Sequence, residues 1–258
     1  MRHPRALWLP AVLGLALVGI PVVSLLVRTP WSRLGDLLGS DIAVQALGLS
    51  ALTSLAAAAA AFVLGVPLAA ILARSRFRGR SVLRALITLP MVLPPVVGGA
   101  ALLYAFGRRG TVGEPIYEAT GLVLPFSPWG VILANTFVAL PFLVVTVEAG
   151  IRNLDSRYES AAATLGAGPW TAFRRVTLPM VTPALLAGTV LAWARALGEF
   201  GATVTFAGNL AGRTQTLPLA VFVALEQDRD AALALSVVLV AVSLVVLVAL
   251  RDRWWTGR

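Results

Sequence analysis

Two ionisable side chains, Arg195 and Glu199, stand inside an otherwise apolar run, Ala192-Trp-Ala-Arg-Ala-Leu-Gly-Glu-Phe-Gly-Ala-Thr. Spaced four apart, they fall on one face of a helix and can pair. A charge at membrane depth is costly unless it is paired or faces water, so such a pair is a functional candidate. Two roles fit the spacing. The pair either meets an anion or a gate, or it locks this helix to a neighbour. Thr203, Thr205 and Asn209 follow closely and carry donors suited to an anion. Other chemistry is excluded. The chain has no G-x-x-x-x-G-K-[ST] loop, so it is not expected to hydrolyse ATP. It has no cysteine, which removes disulfides and thiolate chemistry. Its single histidine, His3, lies in the N-terminal tail, and no acid or histidine spacing suits a metal. The expectation is no enzyme active site and no cofactor.

A second polar stretch, Tyr158 to Pro179, reads Y-E-S-A-A-A-T-L-G-A-G-P-W-T-A-F-R-R-V-T-L-P. Alanine favours a helix over Glu159–Leu165, and Gly166 and Gly168-Pro169 stop it. A second short helical run, Trp170–Arg175, carries two adjacent arginines. The spacing predicts a helix-turn-helix elbow outside the membrane, over about residues 152–179. Such an elbow suits a soluble partner.

These candidates must be positioned by membrane helices. The chain of 258 residues is 58% hydrophobic and only 13% charged, a balance a soluble domain rarely shows. Charged residues bracket six apolar windows: Arg5–Arg28, Asp41–Arg74, Arg84–Arg108, Glu118–Glu148, Arg175–Arg195 and Asp230–Arg251. Each is close to or longer than the roughly 20 residues a bilayer crossing needs. The first window is read as an uncleaved helix, because no small-x-small site closes it. Helix two, about Ile42–Ala73, is too long for a perpendicular crossing, and its run Ala56–Ala61 allows close helix approach. Thr203–Gln227 is read as a polar, glycine-bearing segment, and helix six as Ala231–Leu250.

The net charge of +9 comes from arginine, with no lysine. With the N-terminus inside, Arg2, Arg5, Arg74, Arg76, Arg78, Arg80 and Arg84 lie on the inner side. So do Arg152, Arg157, Arg174, Arg175, Arg251, Arg253 and Arg258. The positive-inside rule accepts this threading and rejects its reverse. The arginines are thus topology signals rather than a nucleic-acid surface, and both termini are expected in the cytoplasm.

Helix three contains Thr88-Leu-Pro-Met-Val-Leu-Pro-Pro-Val-Val-Gly-Gly. Broken helices are tolerated in a membrane where they line a cavity or pack inside protein. Pro90, Pro94, Pro95, Gly98 and Gly99 are therefore placed near a translocation path, or else mark a kink remote from it. Asn135, in helix four, is read as a bond across helices.

The elbow resembles the cytoplasmic loop of ABC importer permeases. That motif reads E-A-A, three residues, G, nine residues, I, one residue, L-P, and Ala161, Ala162, Gly166, Val176, Leu178 and Pro179 fall on it. The motif's glutamate falls on Ser160, with Glu159 one residue earlier, so either is a candidate for the partner contact. Most of the chain is similar to the molybdate branch of these permeases. The matching runs are Thr88–Gly98, the elbow, Ala194–Asn209 and Thr214–Ala220. Sulfate and thiosulfate permeases look similar but favour G-E-Y-G-S where this chain has Gly198–Ala202.

The resemblance implies an all-α integral membrane protein: six transmembrane helices in one domain over residues 1–258, with the type I ABC importer permease (MetI-like) fold. It implies a bacterial or archaeal cytoplasmic membrane, a homodimer, and a substrate-binding protein outside. Two cytoplasmic ATP-binding subunits would carry the ATP and Mg. The ATPase-coupling residues are then Glu159, Ser160, Ala161, Ala162, Gly166, Leu178 and Pro179. The path or gate residues are Pro94, Pro95, Gly98, Arg195, Glu199 and Thr203. Sulfate and tungstate share the shape and charge of molybdate. A stand-alone secondary transporter is the alternative class. It needs no docking elbow, and it usually needs more intramembrane acids for ion coupling.

Overall fold

The computed structural model describes residues 7–75 and 77–255. Arg2, His3, Arg5, Arg76 and Arg258 lie outside the described residues. Among those described, the regular elements are helices, with no strand.

Helix α1, Trp8–Arg28, is apolar on all sides and buries none of its side chains, as a lipid-facing helix does. A short turn and α2, Leu34–Leu38, lead to α3, Asp41–Arg74. Ser40 starts α3 by accepting from the Ala43 N–H. Its 34 residues make a helix of about 51 Å, which outruns a hydrocarbon core of about 30 Å. Helix α7, Pro128–Asn153, starts the same way, with Ser127 accepting from the Gly130 N–H and Pro128 in the first turn. Helix α7 packs against α3 and against α11, Thr182–Leu197.

These three helices enclose the main core. Ala57, Ala61, Ala69 and Leu72 of α3 meet Leu143, Val147 and Ile151 of α7 and Ala192 of α11. In lipid the drive to associate is close packing rather than escape from water. The alanine run serves it: Ala57, Ala58 and Ala61 are buried, and a methyl placed on Gly65 would lie 2.6 Å from Leu143 Cδ2.

The third window is two helices. Helix α4, Arg80–Val92, and α5, Pro95–Phe106, meet at 114°. The proline pair explains the break. A residue before proline is pushed out of helical geometry, and Leu93 and Pro94 are both extended, with ψ of 136° and 131°. Pro90 lies within α4 without ending it. Helix α6, Gly113–Thr120, crosses the following loop.

The elbow is α8, Arg157–Thr164, then α9, Pro169–Ala172, a π-turn over Phe173–Thr177 and α10, Leu178–Met180. It bends by 73° into α11. After α11 come α12, Gly201–Ala207, α13, Leu217–Gln227, and α14, Arg229–Trp255. The reading of Thr203–Gln227 as one polar segment is therefore corrected. Gly208 and Gly212 interrupt it, yet α12 and α13 occupy the stretches on either side. Among the described residues four helices are long and apolar enough to cross a membrane, or up to six spans when each bent pair counts as one.

Candidate functional site: hinge and elbow

Two polar assemblies stand out, one at the α11–α12 break and one at the elbow. At the break, α11 ends at Leu197 and α12 begins at Gly201, so Glu199 lies between two helices. The expectation that Arg195 and Glu199 share one continuous helix face is corrected. Gly198, with its φ of -87° and ψ of 10°, has already left helical geometry. The pair forms all the same: Arg195 Nη2 lies 2.5 Å from Glu199 Oε2. The other carboxylate oxygen accepts from the Ala202 N–H at 2.7 Å, so Glu199 also caps α12. A carboxylate is well placed at a helix start, where free N–H groups and the dipole favour negative charge. Glu199 is only 2% exposed, while the Arg195 side chain is half-buried.

Helix α12 is seated on the α4–α5 break. A methyl on Gly201 would lie 2.5 Å from Pro95 Cβ, and one on Gly99 2.6 Å from Thr205 Cβ. Gly98 faces the Phe137 ring of α7. Thr203, fully buried, donates to Asn135 Oδ1 at 3.2 Å, tying α12 to α7. Thr205 donates to the Gly201 carbonyl. Asn209 leaves its Oδ1 buried without a protein partner. The structure thus brings Pro95, Glu199 and Thr203 together around α12, with Arg195 at its edge and Pro94 exposed beside it, while Gly98 turns to Phe137 of α7. The hydroxyls of Thr203 and Thr205 already bond within the protein.

At the elbow, Gly166 ends α8 with a φ of 86° and open space where a Cβ would stand. Tyr158, Leu165 and Trp170 are large, apolar and exposed, Leu165 by 88%. Ser160 and Ala161 are exposed and Ala162 half-buried. Leu178 is half-buried and Pro179 exposed, one turn before the bend into α11. Glu159 points the other way. It meets Arg74 Nε at 3.1 Å and accepts from Thr177 Oγ1 at 2.7 Å.

A third assembly escaped the sequence reading. Glu148, 5% exposed on α7, gathers Arg84, Arg80 and Arg152 around one oxygen, Arg84 by hydrogen bond. Two i, i+4 spacings, Arg80/Arg84 and Glu148/Arg152, carried the signal, but Glu148 served only as a window boundary. Among the described residues no group of histidine and acids could hold a metal.

The family described as "Binding-protein-dependent transport system inner membrane component" matches residues 65–255. The molybdenum transport system permease protein ModB of Mycobacterium tuberculosis is 49% identical over 250 residues, covering 97% of this chain and 94% of that protein. The sulfate transport system permease protein CysT of Escherichia coli is 37% identical over 227 residues, covering 88% and 82%. Among solved structures, a bacterial ABC transporter for import of the polysaccharide alginate superposes with a TM-score of 0.77 at 18% identity, covering 98% of this chain and 95% of that one. The elbow motif, the broken spans and these matches agree: the chain belongs to the binding-protein-dependent inner-membrane permeases of ABC importers.

Proposed function

We propose that this permease carries molybdate, and that its elbow receives the closing motion of a cytoplasmic ATPase pair. The elbow carries the coupling half of the reading. It presents Tyr158, Leu165 and Trp170 exposed on an elbow that leads within one bend into α11. A ligand shifts a conformational equilibrium only through an interaction that differs between the two states. A short helix gripped in a groove supplies such a difference. The displacement passes through Leu178 and Pro179 to α11 and reaches the Arg195–Glu199 hinge.

The 49% identity to a molybdenum permease, against 37% to a sulfate permease, supports the choice of oxyanion. Arg195 supplies positive charge to a tetrahedral dianion, and selectivity is left to a receptor outside. The alginate importer has been solved with a pentasaccharide-bound periplasmic protein, the kind of partner proposed here. A second copy of the chain completes the path, and both termini face the cytoplasm. In cells lacking molybdate uptake, this chain with its ATPase and receptor should restore it, and a large excess of sulfate should leave it unchanged. Restored sulfate uptake with strong mutual competition would move the assignment to sulfate.

A further inference from the structure

We propose that Glu159 is an internal coupling pin, tying the elbow to the end of α3, and not a contact to the ATPase. The inference rests on the elbow being the ATPase dock. The chain joins the elbow to α7 through Leu154 and to α11 through Val181, but nothing covalent joins it to α3. That link is made by side chains. Arg74, in the last turn of α3, holds Glu159 Oε2 at 3.1 Å and donates to the Leu154 carbonyl at 3.4 Å. The second oxygen of Glu159 accepts from Thr177, which is 2% exposed at the end of the π-turn. One carboxylate therefore bonds α3 on one side and the second arm of the elbow on the other.

Apolar packing reaches the second arm of the elbow, where Phe173 and Leu178 pack against the core. Beneath the elbow lies a cavity of about 400 Å³, bordered by Ala70 of α3, Ile151 of α7 and Ala163, Ala167 and Phe173 of the elbow. That open space beside α8 leaves the first arm of the elbow to be fixed by a directional contact. Charge-assisted hydrogen bonds supply that direction. With the pin in place, a push on the elbow reaches α3 as well as α11, and both pack on α7. The outward-facing neighbours Ser160 and Ala161 remain free for the partner.

The test uses the full permease with its ATPase and receptor in liposomes, reading molybdate moved per ATP hydrolysed. Glu159→Ala and Arg74→Ala should each keep the ATPase bound and hydrolysing, yet lower that ratio about tenfold, the scale of one charged hydrogen bond. Glu159→Gln, which still accepts from Thr177, should fall between. The swap Arg74→Glu with Glu159→Arg should recover much of the ratio. Loss of the ATPase in Glu159→Ala but not in Arg74→Ala would overturn the pin and make Glu159 a partner contact. So would an unchanged ratio in both variants beside a coupled parent. A parent that binds no ATPase at its elbow would overturn the docking reading itself.

Discussion

Arg195→Ala leaves the carboxylate of Glu199 at 2% exposure without its guanidinium. Breaking a buried pair by removing one partner costs about 3–5 kcal/mol. The variant should lose thermal stability and oxyanion uptake together, while Arg213→Ala, exposed near the far end, should stay near the parent in both. Adding Glu199→Gln to Arg195→Ala separates the two roles the spacing left open. The double variant should regain stability, and it should remain poor in uptake because the positive charge toward the anion is still gone. Recovery of both, read by melting and by labelled molybdate uptake, would make the pair a structural bridge only. At this scale the sequence was informative about which residues matter and less so about how. Arg195 and Glu199 stood out as ions in an apolar run, but counting them onto one helix ignored Gly198. Glu148 was hidden because two of its three partners, Arg80 and Arg84, lie far away along the chain, on α4.

The elements repeat that pattern. Windows between charges located the long helices, because length and apolarity alone dictate a crossing. They missed α12, which is short, buried and flanked by glycine, and α13, an 11-residue helix partly buried against α3 and α14. The prolines of the third window foretold a break, and the 114° angle follows from Pro94 and Pro95. Helix α12 meets that break so closely that Gly201→Ala should destabilise the protein by about 1–3 kcal/mol, the usual cost of overpacking. Gly48→Ala, inside α3 with nothing near its Cβ, is the control and should melt at or above the parent. At the elbow, Gly166→Leu places a branched side chain where φ is 86°. There is room for it, so the cost is backbone strain of roughly 1–2 kcal/mol rather than a clash. That strain should reshape the elbow, so that the ATPase co-purifies poorly or hydrolyses ATP without transport. Parental transport by an inserted, ATPase-bound Gly166→Leu would show that the turn does not matter.

For the whole molecule, the arginine bias sets sidedness. The basic end carries Arg74, Arg80, Arg84, Arg152 and the elbow, and should face the cytoplasm. Reporter fusions after Ser127 and Pro169 should therefore report outside and inside respectively. The same report from both would reject the six-span threading. As proposed, transport through this chain is driven by ATP on a separate subunit. The most direct measurement is molybdate entry into liposomes containing the purified permease, first alone under ion and proton gradients, then with its ATPase, receptor and Mg-ATP. The account predicts no entry until the ATPase and nucleotide are supplied, and then uptake that follows hydrolysis. Gradient-driven entry through the permease alone would contradict it.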